Sequence, residues 1–135
     1  MLSTPELTPY RVLIVDDDAA FRGFLRSILA FAGYDTAVAA DGSTGLAAFK
    51  KDGPFDVVIT DVMMPRMGGS ALGRCVRQIT SSVKVLYVTG SRSALSSDKP
   101  HLSPHEAVVD KPCTPESVLD AVALLVKTPA PTARR

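Results

Sequence analysis

Four short apolar runs set the fold of this chain: Val12-Leu13-Ile14-Val15, Val57-Val58-Ile59, Val85-Leu86-Tyr87-Val88 and Ala107-Val108-Val109. Each is rich in β-formers and continuous rather than alternating. A strand with one wet face alternates; a continuous run needs cover on both faces, as in a parallel sheet packed between helices. Thr36-Ala37-Val38-Ala39 is a weaker fifth candidate. The segments between the runs carry helical stripes. Phe21, Phe24, Leu25, Ile28, Leu29 and Ala32 share one face, with Asp18 as N-cap and Gly33 at the C-terminal end. Leu72, Cys75, Val76 and Ile79 form a second stripe, and Val118, Ala121, Val122 and Leu125 a third, capped by Thr114 with Pro115 in its first turn. Residues 43–51 predict a shorter helix. The fourth helix must be confined to about 92–99, because Pro100 and Pro104 follow.

The pattern is (βα) five times over. Right-handed crossovers place helices on both faces of one sheet. A closed eight-fold barrel needs roughly 200 residues or more, and the chain has 135. The expectation is an α/β, doubly wound, five-stranded parallel sheet in a three-layer sandwich. Residues 1–9 and 128–135 read as flexible ends around a domain at 10–127.

Composition removes several functions. The formal charge is +1, which gives no electrostatic footprint for nucleic acid or an anionic membrane. No run approaches the ~18 apolar residues of a membrane span, and the N-terminus has no signal-peptide pattern. Cys75 and Cys113 are far apart, so a disulfide framework and a zinc site are both disfavoured and a reducing cytoplasm fits. His101 and His105 neighbour prolines and read as solvated loop residues.

Ligands of such sheets bind beyond the carboxyl ends of the strands. There the first run ends in Asp16-Asp17-Asp18, the third strand in Thr60-Asp61, the fourth in Thr89-Gly90 and the fifth in Asp110-Lys111-Pro112. An isolated Asp in such a place is usually a turn former or cap, and Asp18 reads as one. The joint set has a chemical logic. Clustered carboxylates repel one another unless a cation or proton compensates. Oxygen ligands without His or Cys suit Mg²⁺, or Mn²⁺, rather than zinc. A carboxylate can attack phosphorus to form an acyl phosphate, with the metal and Lys111 balancing charge on the phosphoryl group.

These residues resemble those of receiver domains of bacterial two-component response regulators. The resemblance is carried by Val12–Asp18, by Asp56–Gly69 with its Asp61-Val62-Met63-Met64-Pro65-Arg66-Met67-Gly68-Gly69 string, by Tyr87–Gly90 and by Asp110-Lys111-Pro112. The intervals are 45 residues from Asp16 to Asp61, 28 to Thr89 and 22 more to Lys111. It implies strand order 2-1-3-4-5, which is the order known for this fold family. It also implies Asp61 as phosphoacceptor and Mg²⁺ on Asp16, Asp17, Asp61 and the Met63 backbone carbonyl, with Asp16 acting mainly through water. Thr89 and Lys111 would bind the phosphoryl group, and the Lys111–Pro112 bond would be cis. A histidine kinase or phosphotransfer protein would be the donor. The chain would be a signalling switch rather than an enzyme on other substrates, standing alone or cut from a larger protein such as a hybrid kinase.

The sequence departs from that family at Gly68, where Asp is usual, at Val108, where an aromatic is common, and at Cys113, where Phe is common. Val108 removes the aromatic switch. Two other readings stay open: a pseudo-receiver that binds without phosphorylation, and a haloacid-dehalogenase-type phosphatase using Asp16-Asp17-Asp18. The phosphatase reading lacks its expected Thr, since position 20 is Ala. A flavodoxin-like FMN carrier would need a phosphate loop that is not there.

Overall fold

A computed structural model describes residues 9–99 and 101–127. Five strands alternate with five helices: β1 (Arg11–Val15), α1 (Ala19–Phe31), β2 (Asp35–Ala39), α2 (Gly42–Asp52), β3 (Val57–Thr60), α3 (Gly69–Ile79), β4 (Lys84–Thr89), α4 (Arg92–Asp98), β5 (Glu106–Asp110) and α5 (Pro115–Lys127). The sheet is wholly parallel, in order β2-β1-β3-β4-β5. The flexible ends expected at 1–9 and 128–135 lie outside the described residues, apart from residue 9.

The two-residue period of the strands divides the core. Leu13, Val15, Val58, Val85 and Tyr87 point to one face and meet Phe49 of α2, Leu72 and Val76 of α3 and Leu95 of α4. Val12, Ile14, Val57, Ile59, Leu86 and Val88 point to the other and meet Leu25 and Leu29 of α1 with Val118, Val122 and Leu125 of α5. Burial on both faces is why these runs do not alternate.

The caps follow the sequence. Asp18 accepts from the Ala20 and Phe21 amides at the start of α1, and Gly33, with φ 98°, ends it. The Ser117 amide donates to Thr114 Oγ1 at 3.1 Å, and Pro115 opens α5. Gly68 caps α3 without a side-chain bond, as its missing Asp predicts.

Three expectations fail. Ile79 ends the α3 stripe but stands 49% exposed, because the helix stops there and the last turn overhangs the core. Ala32 is exposed just past the end of α1. His105 is not a solvated loop residue: it is buried at 5% beneath the entry to β5, and its carbonyl accepts the Val85 amide, so ladder pairing begins before the strand itself. His101 is exposed as expected.

Candidate functional site

Parallel pairing puts Val15 beside Thr60 and Thr89 beside Asp110. The next residues therefore leave the sheet at one edge. Asp16, Asp17 and Asp61 each bring a carboxylate oxygen within 4.8 Å of the others. Asp16 is almost fully buried, Asp61 is half-buried and Asp17 is exposed. Lys111 Nζ lies 3.2 Å from Asp16 Oδ2 and 3.3 Å from Asp61 Oδ2. One ammonium thus bridges both strands.

The loops fix the carboxylates through backbone donors. The Asp18 amide donates to Asp16 Oδ1 at 2.9 Å, and the Met63 amide approaches Asp61 Oδ1 at 3.4 Å. Arg22 reaches back from α1 to the Asp16 carbonyl at 2.7 Å. A Cβ at Gly69 would strike the Asp61 carbonyl oxygen, so the loop can close over the end of β3 only with glycine there. Arg66, in the same loop, takes a left-handed φ of 66°, a conformation nothing in the sequence announces.

Burial raises the Asp16 carboxyl above its ordinary value, against the opposing pull of the Asp18 amide and Lys111. Burial alone would lower Lys111, but the two carboxylates outweigh it and raise the ammonium. The site is thus short of positive charge, and an oxygen-seeking divalent cation suits its donor set. Met63 is exposed, and its side chain plays no part in the cluster.

Thr89 is buried at the end of β4. Its Oγ1 accepts the Ser91 amide at 3.0 Å, and its carbonyl accepts the Lys111 amide at 2.9 Å. The Lys111–Pro112 peptide is cis, as expected, and so is Gly53–Pro54. Asp16, Asp17, Asp61, Thr89 and Lys111 thus stand at the carboxyl ends of β1, β3, β4 and β5. What the sequence did not announce is Phe21: Lys111 Nζ stands 4.3 Å from the centre of its ring. Phe21, Phe24, Pro112 and Cys113 continue from there as an apolar cleft beside the site. Burial raises the Cys113 thiol, against the opposing pull of Lys111.

The model of the response regulator receiver domain family matches residues 12–123. The chain belongs to that family. Among curated relatives, the receiver is 41% identical over 85 residues to response regulator MprA of Mycolicibacterium vanbaalenii, covering 63% of this chain and 36% of that protein. It is 36% identical over 88 residues to the transcriptional regulatory protein TrcR of Mycobacterium tuberculosis, covering 65% and 34%. The chain therefore spans about a third of the length of these relatives. Among solved structures, a CheY-like receiver domain protein from Methanospirillum hungatei superposes with a TM-score of 0.77 at 28% identity, covering 89% of this chain and 95% of that one. Chemotaxis protein CheY4 of Vibrio cholerae gives 0.75 at 28%, covering 87% and 99%. The fold, the strand order and the membership of two-component signalling stand on these matches together with the sheet. Receivers of this family are signalling switches and bind Mg²⁺ in general; here Asp16, Asp17 and Asp61 are the acidic group that fits such an ion. No helix among the described residues is long and apolar enough to cross a membrane.

Proposed function

We propose that this receiver accepts a phosphoryl group on Asp61 from a phosphohistidine of a histidine kinase or phosphotransfer protein. The observation that carries the reading is the position of Lys111, within 3.3 Å of Asp61 and 3.2 Å of Asp16. The ammonium leaves one Asp61 oxygen, Oδ1, outside its ion pair. A carboxylate oxygen of Asp61 attacks phosphorus, an O–P bond forms, and the P–N bond of the donor breaks with its electron pair returning to the imidazole. Lys111 then transfers its pairing from the Asp61 carboxylate to the phosphoryl oxygens. The Thr89 hydroxyl, at the same edge, donates to one of them.

Asp16, Asp17 and Asp61, with the Met63 carbonyl, would hold Mg²⁺, and Mn²⁺ would substitute. The ion supplies charge neutralisation for an anionic donor approaching three carboxylates. The domain at 10–127 would work in the cytoplasm, where its donor stands, without inserting in a membrane or contacting nucleic acid itself. Its downstream partner is a protein that reads the phosphorylated surface.

Intact-mass measurement with a small acyl phosphodonor tests the reading. One phosphoryl group is expected in the presence of Mg²⁺ and none without it, and Asp61→Asn abolishes the gain. Undiminished labelling of Asp61→Asn would sink the assignment. Labelling lost only in Asp16→Asn would favour the phosphatase chemistry, and no labelling under any condition would favour a binding module.

A further inference from the structure

The opposite end of the sheet carries a second built site. Glu106 opens β5 and pairs in register with Val85, four residues before the Asp110–Thr89 pair. At 3.3 Å per residue that is roughly 13 Å from the acidic edge. Between α3 and the C-terminal end of α4 lies a cleft of about 320 Å³, lined by Gly73, Arg74, Arg77, Gln78, Lys99 and Glu106. Its volume is at the lower end of small-molecule sites.

The floor is fixed. The Glu106 side chain is 2% exposed and takes Lys99 Nζ at 2.9 Å, the Tyr87 hydroxyl at 3.2 Å and the Ser103 amide at 3.0 Å. A Cβ at Gly73 would strike the Tyr87 hydroxyl, so glycine there admits the phenol to the floor. Burial alone would raise the Glu106 carboxyl, but the Ser103 amide and Lys99 prevail and hold it below its ordinary value. Glu106 therefore stays an anion and neutralises one of the three cations around it.

The wall is unfinished. Arg77 donates from one terminal nitrogen to Ser103 Oγ at 3.1 Å. Its Nε is buried with no hydrogen-bond partner, one of two such side-chain atoms among the described residues, the other being Ser70 Oγ. Buried guanidinium donors are ordinarily paired. Arg74, one turn earlier on the same face of α3, adds an exposed guanidinium. Arg74, Arg77 and Lys99 less Glu106 leave two positive charges on the cleft. We propose that this cleft binds a phosphate dianion, free or as the monoester of a small molecule, with the Arg74 guanidinium and the terminal nitrogens of Arg77 as its donors. A guanidinium fork matches phosphate oxygens in geometry as well as charge. Lys99 caps α4, so the bound anion ties the end of that helix to α3.

Site-resolved ¹H–¹⁵N NMR on the full chain, without Mg²⁺ or phosphodonor, tests the proposal at about pH 7.5, where phosphate is largely dianionic. The probes are inorganic phosphate and adenosine monophosphate, with chloride at matched ionic strength as control. Saturating shifts are expected at the Arg77 Nε–H and the Arg74 and Gln78 amides with phosphate, and none with chloride. Tighter binding of the nucleotide would mark a monoester as the ligand, and tighter binding of inorganic phosphate a free anion. Arg74→Glu, an exposed change that leaves the floor intact, is expected to weaken binding at least about tenfold. Arg77→Lys, which keeps the charge and removes the fork, should weaken it too. Shifts confined to the neighbourhood of Asp61 and Lys111, or equal affinity in Arg74→Glu, would overturn the site. Asp61 phosphorylation is read by a separate assay, so either result can stand without the other.

Discussion

Lys111 and Glu106 are two charges held by opposite means. Lys111 is shared between two carboxylates and leans on the Phe21 ring, so it has somewhere to go when Asp61 changes. Glu106 is closed in by three donors and has nowhere to go. A carboxyl held below its unfolded value binds fewer protons in the folded chain than in the unfolded one across that interval. Stability contributed by Glu106 is therefore complete above the ordinary value of 4.5 and is lost as pH falls below it. Urea midpoints of the wild type and Glu106→Gln should run parallel at neutral pH and converge in acid. Parallel curves throughout would show that the pairing adds no acid sensitivity. Asp16, Asp17, Asp61, Thr89 and Lys111 were legible because each stands at the carboxyl end of a strand or within two residues beyond it. Tyr87, Glu106 and Lys99 were not, because their meeting depends on the register of β4 and β5 and on the missing side chain of Gly73. His105 was misread because a neighbouring proline says nothing about what covers the loop.

At the scale of elements, α4 is the lightly held one. It is seven residues long, Leu95 is its one buried side chain, and Lys99 ties its end to Glu106. Helices this short owe their stability to tertiary contacts. Local opening is expected there before anywhere in β3, whose four residues are all buried. Leu95→Ala should remove about 2–5 kcal/mol of packing from that helix. Amide exchange over 92–98 should then accelerate at least about tenfold while β3 amides move much less. Equal acceleration in β3 would mean that α4 opens only with the whole fold. With Val108 half-buried in place of an aromatic, Tyr87 is the ring that runs from β4 toward α3 on this face. Tyr87→Phe keeps that packing and removes the hydroxyl from Glu106, so a loss of roughly 1–3 kcal/mol is expected from the underbonded carboxylate. Denaturant midpoints with unchanged slopes would measure it; an unchanged midpoint would assign the Glu106 pairing to Lys99 and Ser103 alone. The bounds of α1 and α5 were legible from Asp18, Gly33, Thr114 and Pro115, whereas α4 had only prolines beyond it to limit its length.

At the scale of the molecule, a ligand that binds only the folded chain stabilises it by mass action. If Asp16, Asp17 and Asp61 hold Mg²⁺, a hundredfold excess over Kd should add about 2.7 kcal/mol and raise Tm by several degrees. Asp17→Asn, an exposed change, should abolish most of the shift. A shift that persists in that variant would place the ion elsewhere. The strand order bears on this in time as well as in energy. Asp16 and Asp17 are neighbours in any state of the chain, but Asp61 joins them only when β1 and β3 pair across a sequence separation of 45. Closing a loop of that length is an early entropic cost of folding with little local reward. The ion is therefore a clock for that closure. If β1 and β3 are paired in the folding transition state, Mg²⁺ speeds refolding; if they pair afterwards, it leaves refolding unchanged and slows only unfolding.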